Sequence, residues 1–238
     1  MENAAVPSEG GPSNKIIAPL WHTLVVLLIL LALSLMSARS QSVSGIGQSR
    51  SRIANYLTVM AVEWCIVVFI WLGIRLRGVR MRDLVGGAWP DWRAILRDLG
   101  ITILFLIAGN LVLGLLAFLL RASPNQAIRR IFPQGPTEIV FYLLLALTAG
   151  ICEEIIFRGY LQKQFAGITG SAALGLVFQG IAFGAAHGYQ GPKLMIIIAV
   201  YGCLFGLLAL WRRSLRPGMM GHFLQDGITG VLGRHLMR

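Results

Sequence analysis

The chain has 238 residues, of which 56% are hydrophobic and only 13% are charged. Soluble domains carry roughly 25% charged residues, so this composition excludes an ordinary cytosolic enzyme, a disordered chain and a fibrous repeat, and it predicts a polytopic membrane protein. The net charge is +11, but the basic residues fall mostly in short gaps between apolar runs. This pattern indicates membrane topology and lipid contact, with no nucleic-acid partner.

Seven apolar runs are long enough, or nearly so, to cross a bilayer as helices. In chain order they cover residues 16–36, 53–74, 99–120, 137–157, 171–189, 193–211 and 218–233. The last run is short and polar, so six to eight spans are expected. The predicted fold class is all-α, a polytopic transmembrane helix bundle. Its location is the plasma or inner membrane, or an internal membrane in a eukaryotic cell.

The first run resembles a signal peptide, but it is long and the residues before it, Met1–Lys15, include two Glu and only one Lys. We therefore expect it to be retained as a helix. The gap at residues 75–97 carries six Arg. If the runs alternate sides, this gap lies on the same side of the membrane as the N-terminus and as the gaps after the fourth and sixth runs. This side has the excess of Lys and Arg, which favours a cytoplasmic N-terminus. Asp91 is expected to cap a short amphipathic stretch, 92–97, in the headgroup layer.

Charged residues inside a spanning helix are costly and are functional candidates by default. Glu63 stands alone in the second run, where pairing with an Arg from elsewhere in the chain is the simplest expectation. The three cysteines lie in apolar runs without a metal-binding spacing and are predicted to be small buried residues. The remaining candidates are concentrated in the last 100 residues. We divide the chain accordingly into N-terminal transmembrane helices with a basic interfacial loop, 1–136, and a second helix bundle, 137–238.

The fourth run ends with two adjacent carboxylates, Glu153 and Glu154, followed by Arg158. On a helix the two Glu side chains point about 100° apart, so we expect them to have different roles. Glu154 and Arg158 are four residues apart, with the acid first, which favours an ion pair. Glu153 is then left without a basic partner on its own helix, which suits a general base.

Two later runs supply histidines. His187 lies near the end of the fifth run, one turn after Phe183 on the same face, within a Gly180–Gly184–Gly188 ladder that allows close helix packing. In the seventh run, His222 and Asp226 are four residues apart and share a face, so the carboxylate can orient the imidazole. Such polar groups should converge in the interior of the bundle.

The order and spacing of these residues resemble those of a known family. Glu153-Glu154-x-x-x-Arg158, then Phe183-x-x-x-His187, then His222-x-x-x-Asp226 are similar to the motifs of the CPBP intramembrane proteases, which comprise the CAAX prenyl proteases and the bacteriocin-processing Abi proteins. The resemblance covers about residues 137–233. It implies a glutamate-type intramembrane endopeptidase acting on a membrane-associated peptide or protein, which is prenylated in some members.

The resemblance also implies roles for individual residues. Glu153 and His187 would activate the attacking water, while His222 and Asp226 would stabilise the oxyanion. Glu154, Arg158 and Phe183 would support the site structurally. Family members often have Asn at position 226. An Asp there donates a hydrogen bond only when protonated, or else acts by orienting His222.

Two alternatives remain open from the sequence. No cofactor is expected, but Glu153, His187 and His222 are also a plausible zinc-ligand set with an open water position. The same polar groups also suit a non-catalytic membrane protein, such as an immunity or scaffold protein that binds a partner peptide. If consecutive spans simply alternate in direction, Glu153 and His187 lie at opposite faces of the membrane. They meet only if the fourth helix continues past Arg158 and the fifth is broken early near Gly188 and Pro192.

Overall fold

The computed structural model describes residues 15–43, 51–123 and 126–236. Within these ranges the chain is helical, without strands. In order the elements are α1 Leu20–Val43, α2 Arg52–Arg75, α3 Met81–Val85, α4 Trp92–Leu119, α5 Gln126–Ile131, α6 Pro136–Glu153, a π-helix Glu154–Leu161, α7 Gln162–Thr169, α8 Ala172–Ala186, a 3₁₀ turn Gly188–Gln190, α9 Pro192–Arg212 and α10 Arg216–Leu236.

All seven predicted runs are helices, which confirms the all-α bundle. In the described part of the chain, five helical segments are long and apolar enough to cross a membrane: Leu20–Arg39, Arg52–Arg75, Trp92–Leu119, Pro136–Thr169 and Pro192–Arg212. Helix α8 is apolar but has only 15 residues, and α10 carries too many polar residues to qualify. These two helices complete the bundle, and the chain is an integral multi-pass membrane protein.

Two boundaries differ from the sequence prediction. The stretch 92–97 is not a separate interfacial helix but the first turns of α4, capped by the Asp91 carboxylate, which accepts a hydrogen bond from the Ala94 backbone at 2.8 Å. The fourth span does not end near residue 157. It continues through the π-helix and α7 to Thr169, a total of 34 residues, so the Glu153–Glu154 pair lies well inside a long helix rather than at its end.

The break after α8 is where the sequence predicted it. Helix α8 ends at Ala186, and Gly191 adopts a positive φ of 89° before Pro192 opens α9. The glycine ladder packs α8 against α9, because a Cβ on Gly184 would overlap the Met195 carbonyl oxygen and Ala199. The short α8 therefore leaves His187 at its C-terminal end, inside the bundle.

Two of the predicted gaps meet on the side of the N-terminus. The Leu215 backbone N–H donates to the Val85 carbonyl at 2.9 Å, which joins the α9–α10 loop to the loop after α2. The predicted gap after the fourth run is not a loop, because Gln162–Thr169 forms α7 within the continuous helix. From α7 the Lys163 ammonium donates to the Asp83 carbonyl at 2.6 Å, and the Gln164 side chain accepts from the Ile17 N–H at 2.8 Å. The N-terminal side of α1, helix α7 and the two loops thus meet at one end of the bundle, and this end is rich in Arg.

Candidate active site

His222 lies at the centre of the polar cluster, on the second turn of α10. Its Nδ1 is 3.2 Å from Glu154 Oε1, and its Nε2 is 3.6 Å from Glu153 Oε2 and 3.7 Å from Asp226 Oδ2. One imidazole thus contacts carboxylates from two helices. The continuous α6–π–α7 helix brings the Glu pair to mid-helix depth, opposite the start of α10. A continued fourth helix is one of the two conditions under which the sequence allows Glu153 and His187 to meet, and their meeting stays a prediction.

The ion pair predicted from the four-residue spacing is confirmed. Arg158 Nη1 lies 3.1 Å from Glu154 Oε1, and both side chains are completely buried. Because Glu154 Oε1 also contacts His222, this one carboxylate links the guanidinium to the imidazole. The sequence assigned the orientation of His222 to Asp226. In the structure the group nearest to Nδ1 is Glu154, and Asp226 lies on the Nε2 side.

Phe183 lies close to all three basic side chains of the site, Arg158, His187 and His222. The Arg158 guanidinium carbon is 4.2 Å from the centre of the Phe183 ring, and the ring centres of His187 and His222 are 4.8 and 6.0 Å from it. Phe205 adds a second aromatic surface, 5.1 Å from the same guanidinium. Aromatic faces stabilise a buried cation, so the Arg158 charge is balanced by Glu154 and by two rings.

The two adjacent glutamates differ sharply in accessibility. The Glu154 side chain is 0% exposed, whereas those of Glu153 and Asp226 are 17% and 39% exposed. Glu153 and Asp226 are therefore partly exposed, and Glu154 is not. The structure distinguishes the two adjacent acids, while the predicted role of Glu153 as a general base stays a prediction.

His187 joins the cluster through Phe183 rather than by direct contact with Glu153. Its Nδ1 is 2.9 Å from the Phe183 carbonyl oxygen, which leaves Nε2 as the nitrogen available to a bound group. Its charge interacts with that of Asp226, so the two side chains share one region. The described hydrogen bonds and ion pairs do not directly link Glu153 to His187.

Sequence reasoning missed the place of Glu63. This side chain, on α2, is 9% exposed, and its charge interacts with those of Glu153, His222 and Asp226. The expected pairing with an Arg is wrong for the described part of the chain, where Glu63 Oε2 is buried without a hydrogen-bond partner. The available signal was a lone acid in the middle of an apolar run, but nothing local showed which helix it faces.

The zinc alternative can be compared with the donor geometry. Across the described ranges, no three His, Cys, Asp or Glu side chains are grouped so that they could hold a metal ion. His222 lies 3.6 Å from Glu153, but no hydrogen bond or ion pair among the described residues links His187 to either of them. The residues Glu153, His187 and His222 thus do not fit a metal site in this arrangement, and no step below is routed through one.

The structure thus holds a buried acid–imidazole cluster inside a polytopic helical membrane protein, and polar groups placed there are functional candidates. Residues 135–228 match the family model described as Type II CAAX prenyl endopeptidase Rce1-like. The match makes this segment similar to that protease family, is consistent with a CPBP intramembrane protease, and contains every predicted site residue. The comparisons with curated proteins and with solved structures found no match.

Proposed function

We propose that the protein is an intramembrane endopeptidase in which Glu153 activates a water molecule to hydrolyse a peptide bond of a membrane-associated substrate. The observation that carries this proposal is the contrast between the two glutamates. Glu154 is fully buried and held by Arg158 and His222, while the Glu153 side chain is 17% exposed and lies 3.6 Å from His222 Nε2. A partly exposed carboxylate beside an imidazole is suited to bind and deprotonate water.

The proposed reaction needs no covalent intermediate with the enzyme. As the water oxygen bonds to the scissile carbonyl carbon, one water proton passes to the Glu153 carboxylate. When the carbon–nitrogen bond breaks, this proton passes to the leaving nitrogen, and Glu153 returns to its starting state. His187 lies in the same region and can accept a hydrogen bond from the attacking water through Nε2.

In the proposed mechanism, His222 donates a hydrogen bond to the oxyanion as its negative charge develops. Its Nδ1 is held by Glu154, so its Nε2 faces Glu153 and Asp226 on the accessible side of the cluster. The surrounding carboxylates stabilise a positive charge on the ring, and in that form Nε2 donates to the oxyanion. Removing one such donor typically costs about 2.7–4 kcal/mol of transition-state stabilisation. Asp226 lies next to this nitrogen and is proposed to assist as an orienting group or, when protonated, as a second donor.

The substrate class follows from the family that the segment 135–228 matches. We propose a membrane-associated peptide or protein ending in a CAAX motif, with a prenyl group that lies in the lipid. The assay uses the purified full chain in liposomes and a quenched fluorescent peptide that carries a farnesylated Cys followed by two aliphatic residues and a final residue. Glu153→Gln should lower kcat by about 10²–10⁴-fold, the usual contribution of a general base.

The matched control is Glu138→Gln, at the start of α6, where the side chain pairs with Arg52 at 3.5 Å and lies outside the cluster. It should cleave the peptide as the wild type does. Equal activity of Glu153→Gln and the wild type would contradict the role of Glu153. Binding of the peptide by both proteins without any cleavage would instead indicate a non-catalytic binding or scaffold protein.

Chelation tests the zinc version of the same hydrolase. Because the donors do not form a three-ligand site, we expect full cleavage activity after prolonged dialysis against a strong chelator, and no stoichiometric zinc by elemental analysis of the purified protein. Loss of activity that zinc alone restores would overturn the metal-free mechanism.

A further inference from the structure

The carbonyl oxygen of Gly202, on α9, is the point at which two parts of the candidate site meet. Arg158 Nη2, from the π-helix, donates a hydrogen bond to this oxygen at 3.3 Å, and Gln179 Nε2, from α8, donates to it at 2.9 Å. Both donating side chains are fully buried. Two helices are thus fastened to one backbone atom of a third helix, and the mechanism above does not use Gln179.

Two glycines of α9 allow the amide of Gln179 to reach the helix backbone. A Cβ on Gly202 would lie 3.0 Å from Phe183 Cδ1, and a Cβ on Gly206, one turn later, would lie 2.7 Å from Gln179 Nε2. A buried amide group is costly unless it is hydrogen-bonded. Because Gln179 Oε1 has no hydrogen-bond partner among the described residues, the bond from Nε2 to Gly202 is the polar contact that holds this side chain there.

Gln179 lies on the face of α8 that leads to the site. Phe183 is one turn further along this face, and His187, at the end of the helix, is two turns further. The Phe183 ring centre lies 4.2 Å from the Arg158 guanidinium carbon, and the Phe183 carbonyl oxygen is 2.9 Å from His187 Nδ1. A side chain that fixes α8 against α9 therefore also fixes Phe183 and His187.

Arg158 links the same carbonyl oxygen to His222. Its Nε and Nη1 atoms have no hydrogen-bond partner in the described part of the chain, so the bond from Nη2 to Gly202 sets the plane of the guanidinium. Nη1 lies 3.1 Å from Glu154 Oε1, which lies 3.2 Å from His222 Nδ1. Because a guanidinium is planar and rigid, anchoring Nη2 also places Nη1, the carboxylate beside it and the imidazole that this carboxylate contacts.

We propose that Gln179 is a positioning residue, which ties α8 to the backbone oxygen that anchors Arg158 and thereby sets the position of His187 relative to His222. This inference rests on the proposed function, in which His187 faces the attacking water and His222 faces the oxyanion. Gln179 itself touches neither the substrate nor the water. Without its hydrogen bond, α8 is free to shift against α9, and the water beside His187 moves away from the carbonyl group beside His222.

The test is Gln179→Met, which keeps the length and the bulk of the side chain and removes the donor. Cleavage of the farnesylated peptide is measured with the full chain in liposomes. We expect kcat to fall by at least about tenfold, because misplacing a catalytic group by about 1 Å can cost about 10²-fold. KM should change little, since Gln179 makes no contact with the substrate.

Gln164→Met is the matched control, because Gln164 is also a fully buried glutamine that forms hydrogen bonds between helices. Its Nε2 donates to the Ala18 carbonyl and to Thr23 Oγ1, both at 2.9 Å, which ties α7 to the start of α1 rather than to α9. The control should lower the melting temperature at least as much as Gln179→Met does, and it should keep the wild-type kcat.

NMR of the full chain, with nitrogen-15 in the histidine rings, gives a readout that does not depend on activity. The ring signals of His187 and His222, each assigned by its loss when that histidine is replaced by Asn, should shift or broaden in Gln179→Met. Both signals should keep their wild-type positions in Gln164→Met. The control should instead move the His22 signal, because the hydrogen bonds of Gln164 continue through two hydroxyl groups to His22 Nδ1.

Two results would overturn the proposal. One is a Gln179→Met protein with the kcat and the two imidazole signals of the wild type. The other is a Gln164→Met protein that loses as much kcat as Gln179→Met, because any loss of buried hydrogen bonds would then have the same effect. If the wild type cleaves nothing, the proposed function fails, while the NMR comparison still decides whether Gln179 positions the two imidazoles.

Discussion

At the scale of single residues, the most informative feature is the difference in exposure and in contacts between the adjacent Glu153 and Glu154. Glu154 is completely buried and balances the fully buried Arg158, whereas Glu153 is accessible. Breaking a buried ion pair by removing one charge costs about 3–5 kcal/mol, because the other charge is left without compensation. Replacing an accessible carboxylate leaves no such buried charge behind.

We therefore predict that Glu154→Gln and Glu153→Gln separate stability from activity. Glu154→Gln should lower the free energy of unfolding by about 3–5 kcal/mol, seen as a large drop in melting temperature in detergent. It should also reduce cleavage, because His222 loses its Nδ1 partner. Glu153→Gln should melt as the wild type does and lose only cleavage. Equal melting temperatures for the two variants would show that Glu154 does not support the fold.

The limits of sequence-based prediction are also clearest at this scale. The Glu154–Arg158 pair could be predicted, because helical spacing alone brings those side chains together. The contact of Glu154 with His222 and the place of Glu63 could not be predicted. They depend on how α10 and α2 pack against α6, over sequence separations of 68 residues in the first case. A lone buried acid gives no local sign of the helix that it faces.

At the scale of helices, the long α6–π–α7 helix and the short α8 together place the site. A π-helix of eight residues replaces ordinary α-helical turns at Glu154–Leu161, and all eight of its residues are buried. Such segments are frequent at functional sites. The sequence left open whether the fourth helix continues and whether the fifth breaks. An α-helical count of residues also cannot reveal a π-helix, because its hydrogen bonds depend on tertiary packing.

The close packing of α8 against α9 leads to a prediction at this scale. A Cβ at Gly184 would overlap the backbone and side chain of α9, so Gly184→Ala should force the two helices apart and displace His187 and Phe183. We expect a lower melting temperature and at least a tenfold loss of kcat. Gly114→Ala, near the C-terminal end of α4, is the matched control, because a Cβ there meets nothing within 4 Å. A Gly184→Ala protein indistinguishable from Gly114→Ala would contradict this account of the packing.

The whole molecule is polarised along its membrane axis. The loops after α2 and α9, the region around Lys163 and the residues before α1 meet at one end through hydrogen bonds such as those from Lys163 to Asp83 and from Leu215 to Val85. Asp98 fastens α4 to this end, since its carboxylate accepts from Arg212 at 3.0 Å and from the Trp89 indole at 2.9 Å. Arg216 lies 4.8 Å from the Trp89 ring. Aromatic and basic residues of this kind are typical of a membrane interface.

This polarity predicts the orientation of the protein in the bilayer. Because Arg and Lys are retained on the cytoplasmic side, the end that carries Gly87 should face the cytoplasm, and the end that carries Ser123 should face the opposite side. Both residues are exposed, so single cysteines at these positions should react with a thiol reagent that does not cross membranes. In spheroplasts of a bacterial host, Ser123→Cys should be labelled and Gly87→Cys protected, and in inverted vesicles the pattern should be reversed. Labelling of Gly87→Cys in intact spheroplasts would contradict the predicted orientation. The Arg-rich end, which lies nearer to the start of α10 and His222, would then be on the outer side of the membrane.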